Sequence, residues 1–307
     1  MTRWLCGLTI VVAVLLFSRA AFAHGVVGDY VFLEPLITQD PTPANELDIL
    51  GPSWVRSSDA NTYAISSSIE KVLYLDDNHM PRVSAGVGTN WSHASTFDGP
   101  SRDGWDDLDM FAKFSPYYSL EHEFLISFVL QVQVPVGNQA VEEQNHTSVG
   151  PVFLWEKGMG DLPNWKGIKY LRPFGIQSDF GYLPAVGGHT SHDMFADATI
   201  EYSLPYLSNS VKDIGLKWPL RNLYLFNEIN YDQLLTGPSG ETFPSLLATP
   251  GIAYVSYHFE LSIGTQFALN QASVSGNHAA VLGLLDIFYD SIFTKVGNWT
   301  INKGFGE

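Results

Sequence analysis

The sequence contains one cysteine, and it lies close to the start. Cys6 precedes an apolar run at residues 8–17, which follows the positive charge of Arg3 and leads to the small-x-small site Ala-Phe-Ala at 21–23. This order is typical of a secretory signal peptide, so we predict His24 as the mature N-terminus. A mature chain would then have no cysteine, which excludes disulfides and thiolate metal sites.

Basic residues are also scarce. The full chain has 16 Lys and Arg against 32 Asp and Glu, a net charge of −16. Loss of Arg3 and Arg19 with the signal peptide would change this to −18. Such a balance excludes nucleic acid as a partner, since binding to phosphates requires basic patches. It also argues against a protein that adheres peripherally to anionic lipid.

Long apolar runs are missing after the signal peptide. No later stretch approaches the roughly 20 apolar residues that a membrane-spanning helix needs. The sequence shows instead a period of two, clearest in EFLISFVLQVQVP at residues 123–135. Phe124, Ile126, Phe128 and Leu130 fall on one face of a strand, and polar Gln131 falls on the other. Strands that are apolar outside and polar inside are typical of a transmembrane β-barrel.

The same pattern recurs along the chain and predicts an all-β fold, an antiparallel barrel of about twelve strands. The predicted strands are 47–57, 60–74, 81–92, 105–118, 122–135, 146–156, 169–182, 194–206, 219–232, 248–256, 258–269 and 277–289. The last segment is apolar enough to form a short helix instead. Its position favours a strand, because a barrel has to close on its first strand.

Connection lengths are consistent with this count. Short turns at 75–80, 119–121 and 257 alternate with longer polar loops, as in barrels with one short-looped and one long-looped end. The long loops are predicted at 93–104, 136–145, 183–193, 233–247 and 270–276. Two connections on the short-looped side, 157–168 and 207–218, are longer than this rule prefers.

The chain divides into four predicted segments. Residues 1–23 are the signal peptide, and residues 24–46 have no clear period and form a periplasmic arm or plug segment. Residues 47–290 form the barrel, and residues 291–307 form a C-terminal tail. This organisation predicts the outer membrane of a Gram-negative cell, with membrane lipid and the barrel assembly machinery as partners.

The mature start HGVVGDYVFLEP and the stretch PGIAYVSYHFELSIGTQFAL at 250–269 resemble outer-membrane proteins of the meta-pathway phenol-degradation family. The resemblance covers most of the mature chain. It implies a transporter-like barrel for small solutes, aromatic or otherwise apolar. One departure is the chain end, Gly-Phe-Gly-Glu, where barrels commonly finish on an aromatic residue.

The predicted inward faces supply a polar lining that could form a solute path. Carboxylates outnumber basic groups there, which favours cations over anions in any open lumen. The lining residues are Asp107, Asp109, Lys113, Gln131, Gln133, Gln177, Asp179, Asp197, Glu201, Glu228, His258 and Glu260. The same residues could instead fill the lumen by bonding to one another, since twelve strands lie between filled eight-strand barrels and open porins.

Other candidate sites carry less information. The pair His189 and His192 has a spacing that metal sites use, but the sequence fixes no third ligand. His24 could chelate copper through its α-amine and imidazole, but the sequence places no second histidine near it. His93 with Ser95 resembles the His-x-Ser arrangement of the outer-membrane phospholipase, without the Asn-Gly that follows there. We therefore predict no bound cofactor or metal and no enzymatic activity. A structural or adhesive barrel remains the alternative to a channel.

Overall fold

A computed structural model describes residues 25–138, 146–187, 192–235 and 244–302. The predicted signal peptide, His24 and His189 lie outside these ranges. No helix in the described residues is long and apolar enough to cross a membrane.

Twelve antiparallel strands form a closed barrel, as predicted, in which each strand pairs with its sequence neighbours and the last pairs with the first. A two-stranded hairpin, β1 (Val26–Val27) and β2 (Tyr30–Val31), precedes them. The barrel strands are β3 (Glu46–Arg56), β4 (Ala60–Leu75), β5 (Pro81–Thr96), β6 (Arg102–Ser119), β7 (Phe124–Val134), β8 (Ser148–Gly158), β9 (Phe174–Pro184), β10 (His192–Ser203), β11 (Leu223–Leu234), β12 (Ser245–Val255), β13 (Phe259–Ala268) and β14 (Ala279–Phe288).

Each predicted strand overlaps one barrel strand, and the segment left open between helix and strand is β14. The largest boundary difference is at β9, which begins five residues later than predicted because Ile168–Leu171 forms a 3-10 helix. The loop predicted at 93–104 is shorter, since β5 and β6 continue to pair through His93↔Asp103 and Ala94↔Arg102.

Short helical segments occupy the connections and the C-terminal segment. They are Ile168–Leu171, Leu204–Tyr206, Leu207–Val211, Leu220–Asn222, Gln271–Gly276, Tyr289–Ser291 and Thr294–Gly297. We call the end at which β3 begins and β14 ends the inner end, and the opposite end the outer end. The connections 159–173 and 204–222 both lie at the inner end.

Side chains alternate between the two faces of the barrel wall as the period-two pattern requires. On β7, Phe128 and Leu130 are 49% and 54% exposed on the outside, whereas Ser127 and Val129 are buried inside. On β13, Ile263 is exposed and its neighbour Ser262 is buried. The outer surface is therefore apolar, and the inner surface carries the polar residues.

Residues 25–45 form a segment that we call the arm. Its backbone N–H groups donate to side chains on β4 and β13, and the Thr42 hydroxyl donates to β8, so the arm contacts several sides of the wall. Buried aromatic residues anchor its first part, where Tyr30 and Phe32 pack with Leu125 and Tyr206. The arm therefore lies inside the barrel rather than beside it.

Candidate functional site in the barrel lumen

The lumen binds the arm chiefly through carboxylates that the barrel wall supplies. Glu228 on β11 accepts hydrogen bonds from three successive backbone N–H groups, those of Leu36, Ile37 and Thr38, at 2.7, 3.0 and 2.9 Å. The Thr38 hydroxyl donates a fourth at 3.2 Å. One fully buried carboxylate thereby accepts the backbone hydrogen bonds of three consecutive arm residues.

Other wall carboxylates extend this pattern along the arm. Asp179 accepts from the Gln39 N–H at 2.7 Å, and Glu201 accepts from the Leu33 N–H at 3.2 Å. Glu260 and Glu70 accept in the same way from the backbone N–H groups of Glu34 and Ala44, both at 3.1 Å. Backbone N–H groups removed from water need acceptors, and these arm amides find them on inward-facing side chains.

A buried lysine joins the arm to the acidic wall. Lys113 on β6 donates to the Thr42 carbonyl and forms an ion pair with Glu70, both at 3.0 Å. The Thr42 hydroxyl donates to Glu156 on β8 at 2.7 Å. Because Lys113 neutralises part of a strongly acidic interior, it supports both the wall and the arm.

Between the arm and the wall lies a cavity of about 130 Å³, with Glu70, Asp109, Lys113 and Gln131 among its lining residues. Three further carboxylates at this cavity, those of Glu34, Asp40 and Glu46, offer oxygens that all lie within 4.8 Å of one another. Oxygen sets of this kind suit hard cations such as calcium. Sequence reasoning missed this cluster because two of its members belong to the arm, which has no periodic pattern. The expectation of no bound metal stays a prediction.

Most of the predicted lining residues lie on the inward face of the wall. Those that are buried are Asp107, Lys113, Gln177, Asp179, Asp197, Glu201, Glu228 and Glu260. Three others, Asp109, Gln131 and Gln133, are half-buried. Asp107 accepts from the Gly137 N–H of the next outer connection at 3.2 Å, and Gln131 accepts from the Gln39 side chain at 3.0 Å.

His258 is a correction to the predicted lining. It lies in the tight turn between β12 and β13, because β13 begins one residue later, at Phe259. Its Nδ1 lies 2.7 Å from the Ser291 hydroxyl oxygen, at the inner end of the barrel. Burial lowers the pKa of His258 from its ordinary value.

The C-terminal segment folds back against the inner end and meets the arm there. Asn45 is the meeting point: its side-chain oxygen accepts from Lys71 Nζ at 2.8 Å and from the Val72 N–H at 3.0 Å. Its side-chain nitrogen donates to the Gly297 carbonyl at 3.1 Å, and the same carbonyl accepts from Lys71. The point where the arm joins β3 is thus tied to the segment that follows β14.

The phospholipase-like pair lacks the required contact. Among the hydrogen bonds of the described residues, none joins His93 to Ser95, and the His93 ring stacks on Trp91 with centroids 6.4 Å apart. A histidine base must lie within hydrogen-bond reach of its serine.

Comparison with solved structures identifies proteins that share this barrel fold. The chain is similar to the crystal structure of an outer membrane channel from Pseudomonas putida F1, with a TM-score of 0.56 and 10% identity over 81% of this chain and 97% of that one. Outer membrane phospholipase A from Escherichia coli matches at a TM-score of 0.38 and 9% identity, over 82% and 94% of the two chains. No protein-family model and no curated protein matches the sequence. At 10% identity the likeness to the channel establishes the fold alone, a closed twelve-strand antiparallel β-barrel similar to outer-membrane barrels.

Proposed function

We propose that this protein is an outer-membrane channel for small organic solutes whose lumen is held closed by its own arm. The observation that supports this most directly is the set of hydrogen bonds between arm amides and wall carboxylates. A barrel with only a structural role could fill its interior with interlocking wall side chains, as small barrels do. Here much of the interior is occupied by a separate segment that no barrel strand pairs with.

The arm contacts are of a kind that can be exchanged. Glu228, Asp179 and Glu201 bind main-chain N–H groups, and water or a polar solute group can replace such donors. Covalent links are absent from this arrangement. Displacement of the arm would therefore open a lumen lined by the same carboxylates, with Lys113 as a buried cation among them.

Aromatic or otherwise apolar compounds are the proposed solute class. Support comes from the resemblance to the phenol-degradation family and from the likeness to an outer membrane channel. Neutral solutes would be indifferent to an acidic lining, whereas carboxylates would be repelled by it. We propose accordingly that small ions leak with a preference for cations.

Electrical recording from purified protein in planar bilayers tests this proposal. We expect low conductance that rises when the contacts of Glu228 are removed, and a reversal potential in a salt gradient that shows cation preference. Uptake of a neutral aromatic solute by proteoliposomes should rise in parallel. A barrel that stays silent and takes up no solute, even with the arm released, would favour a structural or adhesive role instead.

A further inference from the structure

The two long inner connections carry a local charge opposite to that of the chain. Residues 159–173 and 204–222 contain six basic and two acidic residues, in a chain where acidic residues outnumber basic ones two to one. The basic residues are Lys166, Lys169, Arg172, Lys212, Lys217 and Arg221. These six residues have no role in the lumen or in the proposed channel function.

Hydrogen bonds tie the first connection to the end of β10, from which the second connection starts. The Tyr202 hydroxyl, near the end of β10 and two residues before the second connection, donates to the Tyr170 carbonyl of the first at 3.4 Å. The Ser203 N–H donates to the Pro173 carbonyl at 2.9 Å. Within the first connection, the Arg172 guanidinium donates to the Gly160 carbonyl at 2.8 Å. The two connections that carry the basic residues are therefore neighbours at the inner end of the barrel.

The charges on this surface are available to a partner. Lys166, Lys212, Lys217 and Arg221 are exposed, and no ion pair among the described residues involves them or Lys169. We call these five residues the basic platform.

Large aromatic side chains accompany the basic platform. The side chains of Trp165 and Trp218 are 67% and 59% exposed. Trp218 is oriented by a hydrogen bond from its indole nitrogen to the Tyr254 hydroxyl at 3.0 Å. Tryptophan with a wet edge and an apolar body prefers the level of lipid headgroups. Both connections begin at the inner ends of barrel strands, and the Tyr254 contact on β12 holds Trp218 beside the wall there.

We propose that the basic platform binds the headgroups of anionic phospholipids in the leaflet at the inner end of the barrel. Phosphate groups complement clustered Lys and Arg, and the exposed tryptophans would lie at the level of the same headgroups. The inference is independent of solute passage and needs only that the barrel spans a membrane. Because the rest of the chain is acidic, such lipids would gather at this one sector of the wall.

Native mass spectrometry of the full chain, loaded with equimolar phosphatidylglycerol and phosphatidylcholine, tests this. Each neutralised side chain should weaken headgroup binding about five-fold, the size expected for one basic residue at an anionic surface. We expect the protein to retain phosphatidylglycerol at least ten-fold over phosphatidylcholine. A variant with Lys166→Gln, Lys169→Gln, Lys212→Gln, Lys217→Gln and Arg221→Gln should retain the two lipids equally.

A matched control neutralises two basic residues at the outer end, Arg56→Gln and Arg102→Gln, and should keep the preference. Heat-modifiability on gels shows that each variant is folded. The preference should also fall between about 50 and 500 mM salt, because screening weakens contacts between exposed charges. Equal retention of both lipids by the unchanged protein would overturn the proposal. An equal loss of the phosphatidylglycerol preference in the control variant would also overturn it. So would displacement of phosphatidylglycerol by lipopolysaccharide to the same extent from the unchanged protein and from the five-fold variant.

Discussion

The stability of the arm inside the lumen should depend most on Glu228. Its two carboxylate oxygens accept four hydrogen bonds from Leu36, Ile37 and Thr38, three of them on the same oxygen. The substitution Glu228→Gln keeps the size of the side chain and halves its accepting capacity. An amide nitrogen in place of either oxygen would face a backbone N–H, donor against donor.

The size of the effect follows from that count. Placing the amide oxygen where it keeps three bonds loses the fourth and converts the remaining three from charge-assisted to neutral. Hydrogen bonds to charged groups contribute about 1.5–3 kcal/mol and neutral ones about 1 kcal/mol. Removing a buried charge offsets part of this loss, because the carboxylate no longer has to be desolvated. We expect about 2–3 kcal/mol less stabilisation of the bound arm, which raises the released fraction roughly 30- to 150-fold.

Thiol labelling measures this fraction directly. The mature chain is predicted to lack cysteine, so Ile37→Cys would introduce the only thiol, in the middle of the turn that Glu228 binds. In the Glu228→Gln background, a small maleimide should react roughly 30- to 150-fold faster with this cysteine. Single-channel openings should become more frequent to a similar degree.

A buried lumen carboxylate away from the arm provides the control. Asp107 is 2% exposed and accepts from the N–H of Gly137 in an outer connection. Its substitution Asp107→Asn should leave the labelling rate unchanged. Labelling rates that agree within about three-fold in both backgrounds, with both proteins folded, would refute the assignment of Glu228 as the main arm contact.

Three further outcomes are expected. Phe128→Arg, on the exposed apolar face, should impair assembly by roughly 2–4 kcal/mol, whereas Gln131→Arg on the inward face should be tolerated. Heat-modifiability gels compare the two variants, and equal behaviour would contradict the assignment of the two faces. Gly150→Ala should lower stability to urea by about 1–3 kcal/mol, because its Cβ would collide with the Tyr182 carbonyl oxygen, while Gly276→Ala, with open space around it, should be neutral. Partial burial acts to raise the pKa of Asp76, but hydrogen bonds from the Met80 N–H, Arg82 and Tyr118 outweigh it and lower the pKa overall. The stability difference between the protein and Asp76→Asn should therefore be complete above pH about 4 and shrink as the pH falls through the lowered pKa; a difference that grew on acidification would contradict this.

The barrel itself could be predicted from the sequence because each strand carries the evidence for its own two faces. Phe128 and Ile263 alternate with Ser127 and Ser262 whatever the partner strand is. The helix-or-strand question at β14 was open because its residues are apolar on both faces. Pairing with β13 and β3 decided it, and such pairing depends on strands far away in sequence.

Only the tertiary structure decided how the lumen is occupied. The arm has no periodic pattern, and its N–H groups find acceptors 140 to 226 residues away on Asp179, Glu228 and Glu260. His258 is not part of the lining because β13 begins one residue later than the sequence predicts. The basic platform combines residues from two connections that the β9–β10 hairpin separates in sequence, and the net charge of −16 gives no sign of it. Local alternation determines the barrel wall, because each strand residue faces either lipid or lumen whatever its distant neighbours are. The segment that fills the lumen and the connections at the inner end depend on contacts between residues far apart in sequence, which only the closed barrel brings together.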